Sequence, residues 1–263
     1  MFFLLTNDDG IQAPGLKALA YALKRVGEVA IVAPERERSA IGHGITMHKP
    51  LRVTEVRWEE PVDLCVAVNG TPADCVKLAL EALLEKRPEF VISGINRGEN
   101  LGTDVLYSGT VSGAIEGCIG GIPSLAVSLI SEDPEDFPAA ARITAAICLQ
   151  LTSISFPVDT FLNINIPAAA LKNSPRVAFT RLGRRRYINA IDRRLDPRGR
   201  AYYWLGGQVE DLDQAPDTDI GAVAREMISI TPLQLDLTNF QFLSELQQHH
   251  LSGLNLSQEK TAK

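Results

Sequence analysis

Asn7-Asp8-Asp9-Gly10 sets two adjacent carboxylates directly after the apolar run Phe2–Thr6. Like charges at a buried strand end repel each other and are costly to desolvate, so the pair needs a counter-charge. A purely local reading is also open, in which Asp9-Gly10 is a turn and one Asp caps the helix starting near Pro14. Ser39 and Asn96, in two other polar loops, favour a divalent cation as the counter-charge. That donor set is all oxygen, without His or Cys, which suits Mg²⁺, Mn²⁺ or Ca²⁺ and argues against zinc.

A second chemical feature is Tyr107-Ser108-Gly109-Thr110-Val111-Ser112-Gly113, small residues leading into Ala114-Ile115. It reads as a helix start, where free backbone N–H groups and hydroxyls bind phosphate, or simply as a Ser/Thr cap packed on a sheet. His43, between Gly42 and Gly44, reads as an ordinary polar loop residue. Three familiar motifs are absent. Gly10 and Gly15 have the P-loop spacing but are followed by Leu16-Lys17, and neither G-x-G-x-x-G nor G-x-S-x-G occurs.

These loops need a scaffold, and the first half of the chain supplies one. Short apolar runs (Phe2–Thr6, Val29–Ala33, Leu64–Val68, Phe90–Ser93, Ser124–Leu129) read as strands buried on both faces. Pro14–Arg25, Ala73–Lys86 and Pro138–Leu151 carry apolar residues at helical spacing. The alternation predicts a three-layer α/β/α, Rossmann-like, mostly parallel sheet, with the polar loops on its carboxyl edge. After Pro167 the pattern changes. Tyr187–Ile191 and Ala201–Leu205, either side of Asp196-Pro197-Arg198-Gly199, predict a projecting β-hairpin. Asp219–Glu226 reads as a helix, Met227–Thr231 as a strand, Phe240–His249 as a terminal helix and Ser252–Lys263 as a polar tail. One domain over residues 1–263 is expected, with an α/β core at 1–167 and a hairpin and oligomerisation elements at 168–251.

The 263 residues are 45% hydrophobic and 22% charged with a net charge of −6, which excludes wholesale disorder and a general nucleic-acid coat. The charge is uneven. Residues 181–200 hold eight arginines against Asp192 and Asp196, a local +6 that leaves −12 elsewhere. This island admits three readings: a solvated hairpin, an anionic-substrate clamp, or an inter-subunit arm, which its interleaved tyrosines and Trp204 favour. Cys65, Cys75, Cys118 and Cys148 sit singly in apolar stretches, as reduced core thiols do. The apolar Met1–Leu5 gives way at once to Asp8 and Asp9, so no secretory leader is expected, and no stretch is long enough to span a membrane. A cytoplasmic protein without a membrane or stable nucleic-acid partner is the expectation.

Several runs taken together resemble one family. Leu5-Thr6-Asn7-Asp8-Asp9-Gly10, Ala33-Pro34 to Ser39, Asn69-Gly70-Thr71-Pro72-Ala73-Asp74, Ser93-Gly94-Ile95-Asn96-x-Gly98 and Tyr107-Ser108-Gly109-Thr110-Val111 are similar to the SurE family of survival-protein E nucleotidases. Asp196-Pro197-Arg198-Gly199-Arg200 and Ser229-Ile230-Thr231-Pro232-Leu233 extend the likeness over nearly the whole chain. The resemblance implies a metal-dependent phosphatase acting on nucleoside 5′- and 3′-monophosphates, with some members trimming polyphosphate. It implies one divalent cation per subunit, Mg²⁺ or Mn²⁺, held by Asp8, Asp9, Ser39 and Asn96. Phosphate would be bound by Asn96, Ser108, Gly109 and Thr110, with Asp8, Asp9 and Asn96 catalytic. It also implies a homodimer or homotetramer whose C-terminal elements exchange between subunits.

The mechanism expected on this basis is in-line attack by metal-activated water, with the helix start stabilising phosphoryl charge. An aspartyl-phosphate route through Asp8 or Asp9 is its rival. Two other classes stay open: a nucleotide-binding regulator without catalysis, and a metal-dependent hydrolase of another bond.

Overall fold

The computed structural model describes residues 1–58, 62–172 and 175–248. Its strands are β1 (Phe2–Thr6), β2 (Glu28–Pro34), β3 (Val53–Glu55), β4 (Leu64–Val68), β5 (Phe90–Arg97), β6 (Ser124–Ile130), β7 (Thr160–Pro167), β8 (Val177–Phe179), β9 (Arg184–Ile188), β10 (Ile191–Leu195), β11 (Ala201–Leu205), β12 (Gln208–Asp213) and β13 (Ile228–Gln234). Its α-helices are α1 (Pro14–Lys24), α2 (Pro72–Leu78), α3 (Gly109–Ile119), α4 (Phe137–Leu151), α5 (Ala169–Lys172), α6 (Asp219–Ala224) and α7 (Phe240–Gln248).

One sheet runs in the order β3-β4-β2-β1-β5-β6-β7-β13-β8. The six strands from β4 to β7 in that order are mutually parallel, while β3 and β13 run antiparallel to β4 and β7. From β1 the chain crosses to β2 and β4, then returns to place β5 on the other side of β1. Strand order therefore reverses between β1 and β5, and the crevice outside their carboxyl ends is the place where such sheets take ligands.

Both faces of the sheet are covered. Phe3 and Leu5 of β1 pack with Leu16, Leu19 and Leu23 of α1 and Phe137, Ala141 and Cys148 of α4. Their neighbours Phe2 and Leu4 point the other way, against Cys75 and Val76 of α2. This double burial is why β1 reads as an unbroken apolar run, and each fully buried leucine contributes roughly 1.5–3 kcal/mol. The four cysteines are free and buried among these layers, and burial pushes the Cys148 thiol up to about 12. Among the described residues, no helix is long and apolar enough to cross a membrane.

Three expectations change. The single helix over Ala73–Lys86 is α2 followed by one wider π turn, Ala79–Leu83, and Leu84 is already extended. The partner of Ala201–Leu205 is Ile191–Leu195, not Tyr187–Ile191. β10 and β11 form the hairpin around Asp196–Gly199, whereas β9 pairs with β12. Every residue of β10 and β11 is exposed, so no buried face fixes their register in the sequence pattern. Thr160–Pro167 adds the strand β7, which the sequence pattern does not predict because Asn163 and Asn165, fully buried within it, interrupt the apolar run. His249 and the tail Ser252–Lys263 lie outside the described residues.

Candidate active site

Asp8 and Asp9 follow β1 at the reversal of strand order. Asp8 is only 5% exposed, and the Thr110 hydroxyl donates to its Oδ1 at 2.6 Å. A Cβ on Gly109 would lie 2.7 Å from the Asp8 Cβ and 2.8 Å from its Oδ2, so only glycine lets α3 begin this close to the carboxylate. Burial raises the Asp8 carboxyl above the usual carboxylate range, against hydrogen bonds from the Thr110 side chain and backbone. Half-buried Asp9 is pushed up to about 6, first by burial and then by the Asp8 charge, with the backbone and guanidinium of Arg97 opposing. Among the described residues neither carboxylate has an ion-pair partner. Nor does either cap α1, whose N-cap is Ala13 with no side-chain bond; the local capping reading is excluded.

The other candidates approach from neighbouring loops. Ser39 is exposed and donates to Glu37 Oε1 at 2.7 Å, and its loop is fixed by the Arg38 N–H donating to the Asp8 carbonyl at 2.7 Å. Half-buried Asn96 donates its side-chain amide to the Gly98 carbonyl at 2.9 Å. It is the last residue but one of β5, beyond Gly94, whose φ of +142° and close Cβ approach to the Val127 carbonyl exclude a side chain. Ser108 caps α3, its hydroxyl accepting the Val111 N–H at 3.1 Å. Asp8, Asp9, Ser39, Asn96 and Ser108 line one cavity of about 1080 Å³. Gly109 and Thr110 are not on its wall. They stand behind Asp8, and the Thr110 hydroxyl is committed to that carboxylate.

The donor chemistry suits a hard cation. No group of three His, Cys, Asp or Glu side chains among the described residues could hold a metal. Along this cavity lie two carboxylates with no ion-pair partner among the described residues and the neutral oxygens of Ser39 and Asn96, a set that suits an ion keeping several waters.

Other residues on the wall escaped the sequence reading. Glu37 and Arg97 line the cavity. Glu37 had a visible signal, lying two residues before Ser39 in the same loop, while Asp104 and Tyr187 are brought there only by the tertiary fold. His43 does not line the cavity; its Nε2 donates to Glu116 Oε2 at 3.0 Å. Lys77 Nζ donates to the other Glu116 oxygen at 3.1 Å, and these bonds hold the Glu116 carboxyl below its ordinary range. The arginine island is also largely neutralised within the chain. Arg185, 8% exposed, binds Glu99, Asp104 and Asp211, and Arg181 binds Asp213 and Asp217.

Residues 3–189 match the model of the family described as Survival protein SurE. The chain is 66% identical over 246 residues to a protein of Moorella thermoacetica named 5′-nucleotidase SurE, covering 94% of this chain and 95% of that one. A protein of the same name from Carboxydothermus hydrogenoformans is 52% identical over 251 residues, with the same coverage of each chain. The crystal structure of SurE protein from Aquifex aeolicus superposes with a TM-score of 0.83 at 40% identity, over 95% of this chain and 99% of the other. With most of its length matched in sequence and in fold, the chain belongs to the SurE family.

Proposed function

We propose that the chain is a divalent-metal-dependent 5′-nucleotidase that hydrolyses nucleoside 5′-monophosphates at the Asp8–Asp9 edge. The observation that carries this reading is the desolvated, uncompensated Asp8–Asp9 pair against the start of α3. The relatives named 5′-nucleotidase supply the substrate class. A phosphate dianion beside Asp8, Asp9 and Glu37 would meet repulsion that Arg97 alone does not offset, so cation and substrate belong together.

Asp8, Asp9, Ser39 and Asn96 hold the cation in this reading, Mg²⁺ or Mn²⁺ and one per subunit. When bound, it neutralises phosphoryl oxygens and makes water a better nucleophile. Thr110 holds Asp8 in one orientation through its 2.6 Å hydrogen bond. Ser108, at the positive end of α3, meets the phosphoryl oxygens, and the Asn96 amide orients them for in-line displacement. The bond from phosphorus to the ester oxygen breaks as the bond to the water oxygen forms, and the water protons pass to the leaving oxygen and to phosphate. Nucleoside 3′-monophosphates and short polyphosphates present the same terminal group, and we include them among the substrates.

Release of inorganic phosphate, screened across nucleotides before and after chelation, tests the proposal. The expected result is release from nucleoside monophosphates that chelation abolishes and Mg²⁺ or Mn²⁺ restores. Full activity in the chelated protein overturns the metal dependence, and binding without release marks a regulator.

We further propose a single domain acting as a homodimer or homotetramer in the cytoplasm. The exposed β10–β11 hairpin, with Trp204 and Leu205, and α7, with Phe240, Phe242 and Leu243, are its assembly surfaces. Shortening the hairpin between Ile191 and Leu205 is expected to lower the mass seen by light scattering; an unchanged mass contradicts the assignment.

A further inference from the structure

The cavity is larger than a phosphoryl group and its ion need. Beyond the carboxylates it continues to Tyr107, Tyr187, Leu205 at the end of β11 and the Gly206-Gly207 connection to β12. At about 1080 Å³ it lies just above the usual range for small-molecule sites. The two tyrosines are 61% and 45% exposed, an apolar surface left in water at the mouth of an otherwise acidic site.

Asp104 orders the Tyr187 ring and fixes the backbone of Tyr107. Asp104 Oδ2 accepts the Tyr187 hydroxyl at 2.9 Å, and its backbone carbonyl accepts the Tyr107 N–H at 3.0 Å. Asp104 is itself held by Arg185 at 3.2 Å, and Arg185 also binds Glu99 at 2.6 Å and Asp211 at 2.7 Å. That guanidinium is thus committed to three carboxylates and is not free to hold a phosphate. The preset Tyr187 ring loses little freedom on binding, which favours stacking. A nucleobase offers a flat π face to such side chains, and stacking is tolerant of base identity because every base has one.

We propose that Tyr107 and Tyr187, the latter held by Asp104, receive the nucleobase and make the site prefer nucleotides to phosphate esters without a base. This rests on the nucleotidase reading and deepens it. The arginine-rich elaboration then serves two ends: β9 supplies Tyr187 to the cavity wall, while β10 and β11, apart from Leu205, lie outside the lining.

The experiment compares AMP with ribose 5-phosphate, which keeps the sugar and the phosphoester but lacks the base. Three variants are needed: Tyr187→Ala, the Tyr107→Ala/Tyr187→Ala double variant, and Tyr187→Phe. The double variant is expected to lose about 10- to 100-fold in kcat/KM for AMP, mostly through KM, while ribose 5-phosphate is hydrolysed as before. Tyr187→Phe, which keeps the ring, should retain most of the preference. A parallel fall for both substrates, or no change for AMP, overturns the assignment. AMP binding followed by calorimetry separates this inference from the one beneath it. If no ester releases phosphate yet the double variant binds AMP more weakly, the nucleotidase reading fails and the aromatic wall stands. Unchanged AMP binding removes the wall.

Discussion

Two helices start at the same edge of the sheet, α2 after β4 and α3 after β5, and each has a carboxylate at its first turn. In α2 that carboxylate is local. Asp74 Oδ2 accepts the Thr71 N–H at 2.9 Å while the Thr71 hydroxyl accepts the Asp74 N–H at 3.1 Å, closing a capping box. Asp74 also takes the N–H and hydroxyl of Thr46, at 2.8 and 2.6 Å, and is spent entirely within the fold. In α3 the first turn has no acidic residue. Its carboxylate arrives from β1 as Asp8, with Asp9 beside it and the cavity in front. The same physical interaction is therefore a structural closure in one helix and an open, charged site in the other. The difference lies in where the acid comes from: the helix's own first turn, or across a sheet.

Substitutions at the two starts should separate these roles. The largest effect belongs to Asp8→Asn, expected to lower phosphate release by at least about 100-fold, the scale of losing one preorganised charge-stabilising group. Folding should be retained, since the change removes a desolvated charge. An Asp8→Asn protein with near-normal turnover would place the chemistry elsewhere. Next comes Gly109→Ala, whose added Cβ meets Asp8 at 2.7 Å. Displacing the carboxylate by a fraction of an ångström should cost about 10- to 100-fold in kcat; unaltered kcat would mean that the close approach is not needed.

At α2 the expectation is inverted. Asp74→Ala removes a nearly buried carboxylate and orphans Thr71 and Thr46, so denaturant unfolding should show a loss of about 1–3 kcal/mol. The folded fraction should keep its kcat/KM within roughly twofold, the range of a change outside the binding machinery. A loss of activity without a loss of stability at Asp74 would erase the contrast.

The smallest effect is a pH slope. With Asp9 raised to about 6 by folding, the native chain binds more protons than the unfolded chain between roughly pH 4 and 6. Stability of the chelated protein from this group therefore falls as pH rises through that window and levels off above it. Denaturation of the chelated protein at several pH values should show the fall, and Asp9→Asn should reduce it, leaving the share of Asp8, which burial also raises. An identical slope in the variant would mean that Asp9 is not its source.

The core of this arrangement was readable in residue order. β1 is apolar at every position but Thr6 because both of its faces are covered, and Asn7-Asp8-Asp9-Gly10 follows it without a break. The start of α3 at Ser108 was likewise visible in a run of small residues. β7 was not, because its buried amides serve distant partners. Asn163 and Asn165 both donate to the Asn100 carbonyl, at 2.8 and 3.0 Å, and Asn165 accepts the Asn100 N–H at 2.9 Å, pinning the loop beyond Asn96. The pairing of Arg185 within the arginine island was hidden for a similar reason, since its partners are 86, 81 and 26 positions away. Polar groups satisfied across the fold leave no period in the sequence. Tyr187 shares that fate, being fixed by Asp104 across 83 positions.

The central claim is that the open carboxylate pair, and not the closed one, is the cation site. Titration of Mn²⁺ into the metal-free protein, with free ion followed by its paramagnetic resonance, tests this directly. One site per chain is expected in the native protein and in Asp74→Asn, and its loss in Asp8→Asn. Equal Mn²⁺ affinity in the native protein and Asp8→Asn would contradict the assignment.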